Sequence, residues 1–287
     1  MIVKDAYYYK EQLESLKEMF AMSTNHLQRL QSELEEKNKS ISQSVDYAEK
    51  IQSQMVPSIK TRNCQLKDVF YYLRQRDKIG GDFIYLSENE NSIVFGLMDC
   101  TGHGIPGALL SMMGFNFINE IVHKNIHWLP NKILEELDKR FHQYFSQNQE
   151  AEVLRDGMDG ILCSFKKAEK KLHYSMAGRP FWFQQNGAWQ KHRPDRNSIG
   201  GSRYSSFKSH TLDINDGLEV FLFSDGLSDQ FGGENDKKFL TKRILKHLEE
   251  TSDIDLSKKG KVLAQKIEKW KGNNDQTDDI SYLSVEL

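Results

Sequence analysis

Four positions in this 287-residue chain place a carboxylate at the end of an apolar, strand-like run, beside glycine or a second acid. Asp82 follows Ile79-Gly80-Gly81 and opens FIYL. Asp99 closes SIVFGLM and is followed, after Cys100 and Thr101, by Gly102-His103-Gly104. Asp225 closes EVFLFS ahead of Gly226, and Asp278-Asp279 opens ISYLSVEL. A single site of this kind is usually a turn, because Asp and Gly both favour tight turns. Four strand ends are different, since adjacent strands bring their acids together. Carboxylates within a few ångströms raise one another's pKa unless a cation neutralises them. Oxygen donors without His or Cys partners point to Mg²⁺ or Mn²⁺ rather than zinc. Two such ions about 4 Å apart hold a phosphate and deprotonate a bridging water for in-line attack. The residues therefore predict a hard-metal carboxylate site acting on phosphate.

The elements that must carry these acids are legible from periodicity. Strands are expected over Val69 to Leu73, Asp82 to Leu86, and Ser92 to Met98, with Asn89-Glu90-Asn91 as the turn between the last two. Ile105, Leu109, Met112 and Met113 recur at helical spacing, which predicts a helix over 105–126, and a second is expected over 130–147. Further strands are expected over Gly160 to Phe165, Leu172 to Met176, Phe181 to Gln185 and Ala188 to Lys191, the last pair joined by Asn186-Gly187. After a polar loop over Asn197 to Ser206 come strands Ser206 to Leu212 and Leu218 to Phe223. Helices near 236–250 and 257–271 precede a final strand, Ile280 to Leu287. Two groups of strands with helices between and after them predict an α+β fold of sheets covered by helices.

The first 56 residues have a different texture. Leu13, Leu16, Phe20, Leu27, Leu30, Leu34, Ile41, Ala48, Ile51 and Met55 fall three and four apart, with polar breaks at Ser23, Lys37 and Ser44. A seam held over about six heptads predicts a coiled coil, and a helix of that length is roughly 70 Å long. Such a stripe needs a second copy or a partner, and a homodimer is expected; the competing reading folds the helix onto the following domain. Pro57 is expected to end it. The expected domains are a coiled-coil regulatory helix over 1–58 and a globular domain over 59–287.

The apolar fraction is 38 %, the charged fraction 28 % and the formal net charge −2, so neither nucleic acid nor an anionic membrane is an expected partner. Cys64, Cys100 and Cys163 form no CxxC pair, which argues against a disulfide framework and for a reducing compartment. With no signal peptide or membrane span apparent, a cytoplasmic location is expected.

Five segments, IQSQMVPS (51–58), IGGDFIYL (79–86), MDCTGHGIPGALLSMM (98–113), LFSDGLSDQ (222–230) and TDDISYLSV (277–285), match in order those of a known family. Over residues 47–287 the chain resembles the metal-dependent PPM-type serine/threonine phosphatases, in their SpoIIE/RsbU-like bacterial branch. The resemblance implies two packed antiparallel sheets flanked by helix pairs, with two Mn²⁺ or Mg²⁺ ions at one edge. Asp82, Asp99, Asp225 and Asp278 match the ligating carboxylates, Cys100 supplies the backbone carbonyl after the second Asp, and Asp279 is the less favoured of the terminal pair. The implied activity is hydrolysis of phosphoserine or phosphothreonine, with a phosphorylated STAS-domain anti-sigma-factor antagonist as the usual substrate and the coiled coil as regulatory input.

The chain also departs from the family pattern. Two residues separate Asp99 from Gly102-His103-Gly104, so His103 does not inherit the leaving-group role of the animal DGHG motif and reads as a turn-stabilising histidine. Arg74 and Arg76 do not match the animal phosphate-binding arginine by position. DGMDG (Asp156 to Gly160) reads as a loop turn, with the alternative that Asp156 and Asp159 shape a rim or a third metal site. In MAGRPFWF the aromatics read as core, and Arg179 is a candidate phosphate contact. Two other functions compete: a non-catalytic coiled-coil scaffold that binds a phosphoprotein, whose expected signature is loss of a metal carboxylate, and a hydrolase of small phosphoesters. All four carboxylates are present.

Overall fold

A computed structural model describes residues 2–56, 66–125, 127–145, 156–194, 197–201, 204–214 and 217–287, with side chains from Gln12 onward. Pro57 and Cys64 lie outside the described residues. The chain divides into two units, Met1–Ala48 and Glu49–Leu287.

From Ile2 onward the first unit is helical, as part of α1 (Ile2–Met55). Leu13, Leu16, Phe20, Leu27, Leu30, Leu34 and Ile41 are 45–75 % exposed, so the apolar stripe seen in the sequence is unpartnered in the single chain.

The second unit is built on two five-stranded antiparallel sheets. One has the order β1 (Asp68–Arg74), β12 (Ile280–Glu286), β9 (Glu219–Phe223), β6 (Phe181–Gln185), β7 (Ala188–His192). The other runs β2 (Phe83–Glu88), β3 (Ser92–Cys100), β4 (Met158–Lys166), β5 (Lys171–Ala177), β8 (His210–Asp213). Period-two alternation sorts each strand between two cores. On β3, Ile93, Phe95 and Leu97 face the layer shared with Val220 and Leu222 of β9 and with Leu283 and Val285 of β12. Val94 and Met98 face the other way, into the layer under α2 (Gly104–Lys124) and α3 (Pro130–Phe145). Phe221, Phe223, Ile280 and Tyr282 pack beneath α5 (Thr241–Glu250) and α6 (Leu256–Lys271). The result is the expected layering: helix pair, sheet, sheet, helix pair. α2 is long and apolar enough to cross a membrane, and 44 % of that stretch is buried within the fold.

Two stretches differ from the sequence expectation. The strand expected from Ser206 begins only at His210. The preceding loop is drawn to α3 instead, because buried Asp138 accepts hydrogen bonds from the Gly200 and Ser205 amides, both at 2.8 Å. The helix expected from residue 236 begins at Thr241. Lys237–Lys238 (β11) instead pairs with Phe231–Gly232 (β10) as a small hairpin, and Leu240, at φ +67°, cannot sit within a right-handed helix. A short helix, α4 (Asp225–Asp229), follows β9.

Candidate metal centre and active site

The second unit gathers its acids where the two sheets meet. Asp82 precedes β2, Asp99 is the penultimate residue of β3, Asp225 opens α4, and Asp278-Asp279 precedes β12. Asp99 lies directly across the strand pair from Asp159 of β4. That register makes Asp159, read in the sequence as part of a turn, a member of the cluster. Asp99, Cys100, Asp159, Arg179, Asp225 and Asp278 share one cavity of about 390 Å³.

The acids fall into two groups. Asp82 and Asp279 are buried, each 3 % exposed, and the protein satisfies them. Asp82 Oδ2 accepts from the Ser281 hydroxyl at 2.6 Å. Asp279 accepts from the amides of Arg76 (2.6 Å), Gly81 (2.6 Å) and Asp82 (3.3 Å). Asp279 thereby clamps the Gly80-Gly81 turn, and Asp278 is the one of the pair that faces the cavity. Both glycines are needed for close approach. A Cβ on Gly80 would lie 2.3 Å from Asp279 Oδ2, and one on Gly81 would lie 2.9 Å from the carbonyl oxygens of Cys100 and Gly102. The Cys100 thiol is buried, and its pKa is pushed up by burial, so it is no thiolate donor.

The second group, Asp99, Asp159, Asp225 and Asp278, faces the cavity, and one cation holds all but Asp278. Arg179 Nη2 donates to Asp99 Oδ2 at 2.6 Å and to Asp225 Oδ2 at 2.7 Å. Its Nε, 3.8 Å from Asp159 Oδ2, is buried without a hydrogen-bond partner. Gly178, at φ +69°, delivers this side chain; a Cβ there would lie 2.2 Å from the Asp159 carboxyl carbon. Arg179, named from the sequence as a candidate phosphate contact, carries no spacing signal of its own, being a lone arginine in an aromatic run.

Electrostatics show that one guanidinium is not enough. Burial raises the Asp99 pKa to about 7 even though Arg179 lowers it, with Asp225, Asp278 and Asp159 adding repulsion. Burial also raises Asp82, followed by repulsion from Asp99, while Ser281 opposes it. Asp279 is raised by burial, against the three amides. An oxygen-only donor set that strains to ionise fits a hard divalent cation. Among the described residues no three acids are close enough to close around an ion, and Arg179 stands between them.

The remaining candidates lie apart from this cavity. His103 Nδ1 pairs with Asp77 Oδ2 at 2.9 Å, both about half exposed, at the entrance to α2. Arg74 pairs with Glu268 of α6. Arg76 Nη1 donates to the Thr277 carbonyl at 3.3 Å, bracing the turn before Asp278. Asp156 is not among the cavity residues.

Comparisons with known proteins agree with this architecture. The sequence profile of Stage II sporulation protein E (SpoIIE) matches residues 89–287. The phosphoserine phosphatase RsbP of Bacillus subtilis (strain 168) is 26 % identical over 169 residues, 58 % of this chain; the match spans 41 % of RsbP's length. The SiaA-PP2C domain of Pseudomonas aeruginosa superposes with a TM-score of 0.79 at 26 % identity, covering 87 % of this chain and 98 % of that domain. RsbX, solved in complex with magnesium, superposes with a TM-score of 0.54 at 16 % identity, over 78 % of this chain and 98 % of its own, and shows the shared fold.

A pH dependence follows for the metal-free protein. A carboxyl whose folded pKa lies above its unfolded value near 3.8 binds its proton more tightly when folded. Stability contributed by Asp99 is therefore present at low pH and is lost as pH rises from about 4 through about 7. The Tm of chelator-treated protein should fall across that window, and Asp99→Asn should flatten the slope. An equal slope in the variant would contradict this assignment.

Proposed function

We propose, for a chain that belongs to the SpoIIE family, that it is a metal-dependent serine/threonine protein phosphatase. The observation that carries the reading is the convergence of Asp82, Asp99, Asp225 and Asp278 from four separate segments on one edge of the sheet pair. Asp99, Asp225 and Asp278, with Asp82 behind them and the Cys100 carbonyl beside them, would hold two Mn²⁺ or Mg²⁺ ions. When bound, such ions supply the charge that neutralises a phosphate and acidify water for in-line attack. The chain's own residues do the positioning. Asp279 and Ser281 fix the turn and carboxylate of Asp82. Arg179 is the cation in the cavity, and with the carboxylates neutralised by bound cations its guanidinium would be available for a bidentate contact to phosphate oxygens. His103, tied to Asp77, has no part in this scheme.

The substrate we infer is a phosphorylated STAS-domain antagonist in a partner-switching pathway, in a cytoplasmic setting. The kinship with RsbP supports it. The division of labour we infer is a regulatory helix over 1–58 that dimerises through its exposed seam and a phosphatase domain over 59–287. Two contacts within the second unit favour a route to the site. Gln52, in the last turn of α1, donates to the Gly80 carbonyl at 2.7 Å and to the Ser111 hydroxyl at 2.9 Å. Gly80 belongs to the turn that carries Asp82.

Release of phosphate from an aryl phosphate should require Mn²⁺ and fall by at least about 10³-fold in Asp99→Ala and Asp225→Ala. Arg179→Ala should act mainly on KM, and Arg179→Lys should recover part of the loss. Metal-independent turnover, or full activity in either Asp variant, would contradict the reading. A metal-binding chain silent on both an aryl phosphate and a phosphorylated STAS protein would favour the scaffold. Deleting residues 1–44 should give a monomer with an altered rate, whereas an unchanged oligomeric state and rate would remove the regulatory role.

A further inference from the structure

The helix pair outside the β1-β12-β9-β6-β7 sheet differs in charge from the rest of the molecule. Residues 237–271 hold eleven Lys and Arg against five Asp and Glu, in a chain whose net charge is −2. Between α5, α6 and the β10–β11 hairpin runs a groove of about 690 Å³, whose walls carry Lys237, Arg243, Lys246, Lys266 and Lys269. None of these residues belongs to the metal cavity.

The floor of the groove is aromatic and fixed in place. Trp270 packs edge-on against buried Phe239 with centroids 5.7 Å apart, and the Arg243 guanidinium lies 4.2 Å above the indole. The hairpin needs glycine to admit the indole: a Cβ on Gly232 would lie 1.9 Å from the Trp270 carbonyl oxygen, and one on Gly233 would lie 2.7 Å from the ring. Trp270 Nε1 donates to the carbonyls of Gln230 (3.3 Å) and Lys237 (3.2 Å). An aromatic surface under a rim of cations takes an apolar side chain flanked by carboxylates.

We propose that this groove docks an acidic peptide segment with at least one apolar side chain, belonging to the phosphoprotein that the enzyme dephosphorylates. The proposal rests on the phosphatase reading above. Charge complementarity selects the acidic partner. Glu234 and Glu250, also on the walls, interrupt the positive surface and disfavour a uniform phosphate backbone such as nucleic acid. The groove is also within reach of the metal cavity. Gly232 follows Asp225 by seven residues, at most about 25 Å of chain. Gln230 joins the two regions: its Nε2 donates to the Asp275 carbonyl at 3.0 Å, and its Oε1 accepts from the Thr277 amide at 3.3 Å, in the loop leading to Asp278. A partner seated in the groove would raise the effective concentration of its phosphoserine at the site.

The test uses the full chain and a fluorescein-labelled peptide of about twelve residues, mostly Asp and Glu with one Phe, followed by anisotropy. Lys246→Glu/Lys269→Glu reverses two exposed charges and leaves the aromatic floor intact. The acidic peptide should bind, weaken with salt, and lose about tenfold or more in affinity both in this variant and when its acids are replaced by Gln and Asn. A phosphoserine peptide carrying the acidic stretch should show a KM about tenfold below its untailed counterpart, with the advantage gone in the variant. Hydrolysis of an aryl phosphate should be the same in both proteins. Equal binding of the acidic peptide by variant and wild type would overturn the proposal. So would displacement of the peptide by a single-stranded oligonucleotide at lower concentration than the unlabelled peptide itself, which would assign the groove to nucleic acid. An enzyme inert on aryl phosphate would count against the phosphatase reading, while anisotropy would still decide the groove.

Discussion

Everything around the site answers to one constraint: six carboxylates, Asp82, Asp99, Asp159, Asp225, Asp278 and Asp279, are collected at one seam with, among the described residues, a single guanidinium between them. Removing a carboxylate from water costs several kcal/mol unless donors or a cation replace the hydration. The molecule meets that cost in two ways. The inner pair, Asp82 and Asp279, is surrounded by amide and hydroxyl donors, as backbone turns and capping side chains are elsewhere in proteins. Of the outer acids, Asp278 accepts one amide, from Asp279 at 2.8 Å. Asp99, Asp225 and Asp159 share Arg179, and burial still raises the Asp99 pKa to about 7. The inner acids thus serve as structure, and the outer acids are left open to charge from outside.

The sheets are what allow this collection. Antiparallel pairing of β3 with β4 sets Asp99 opposite Asp159, and pairing of β12 with β9 aligns the segment after Asp278-Asp279 with the strand that ends before Asp225. The approach of one sheet's turns to the other is then a matter of volume. At Gly80, Gly81, Gly178 and Gly226 a single added carbon would meet a carboxylate or a carbonyl at 2.9 Å or less. These glycines are spatial requirements of the seam.

Much of this was legible in the sequence because the strands are regular and strongly apolar. The continuous apolar runs of β3 and β9 and the alternation on β12 mark the strands and the acids at their ends. The long helix was equally plain from its three-four spacing. Features set by contacts distant in sequence were marked only faintly or not at all. Asp159 joins the cluster only through its register with Asp99. Arg179 depends on a left-handed glycine and on three acids from other elements. The helix expected near 236–250 took in Lys237–Lys238 of the hairpin because charged residues suit a helix, and the hairpin's glycines make sense only once Trp270 is seen against them. The loop before β8 is held by Asp138, an acid on a helix with no local mark of that role.

The most direct test of the account is to count metal on the cluster itself. Mn²⁺ would be titrated into chelator-treated protein and followed by electron paramagnetic resonance, with Asp99→Asn in parallel. Two ions should bind per chain with the exchange-coupled spectrum of a close pair, and that coupling should be lost in the variant. A single uncoupled ion, or binding unaffected by Asp99→Asn, would contradict the claim that these carboxylates were gathered to hold a metal pair.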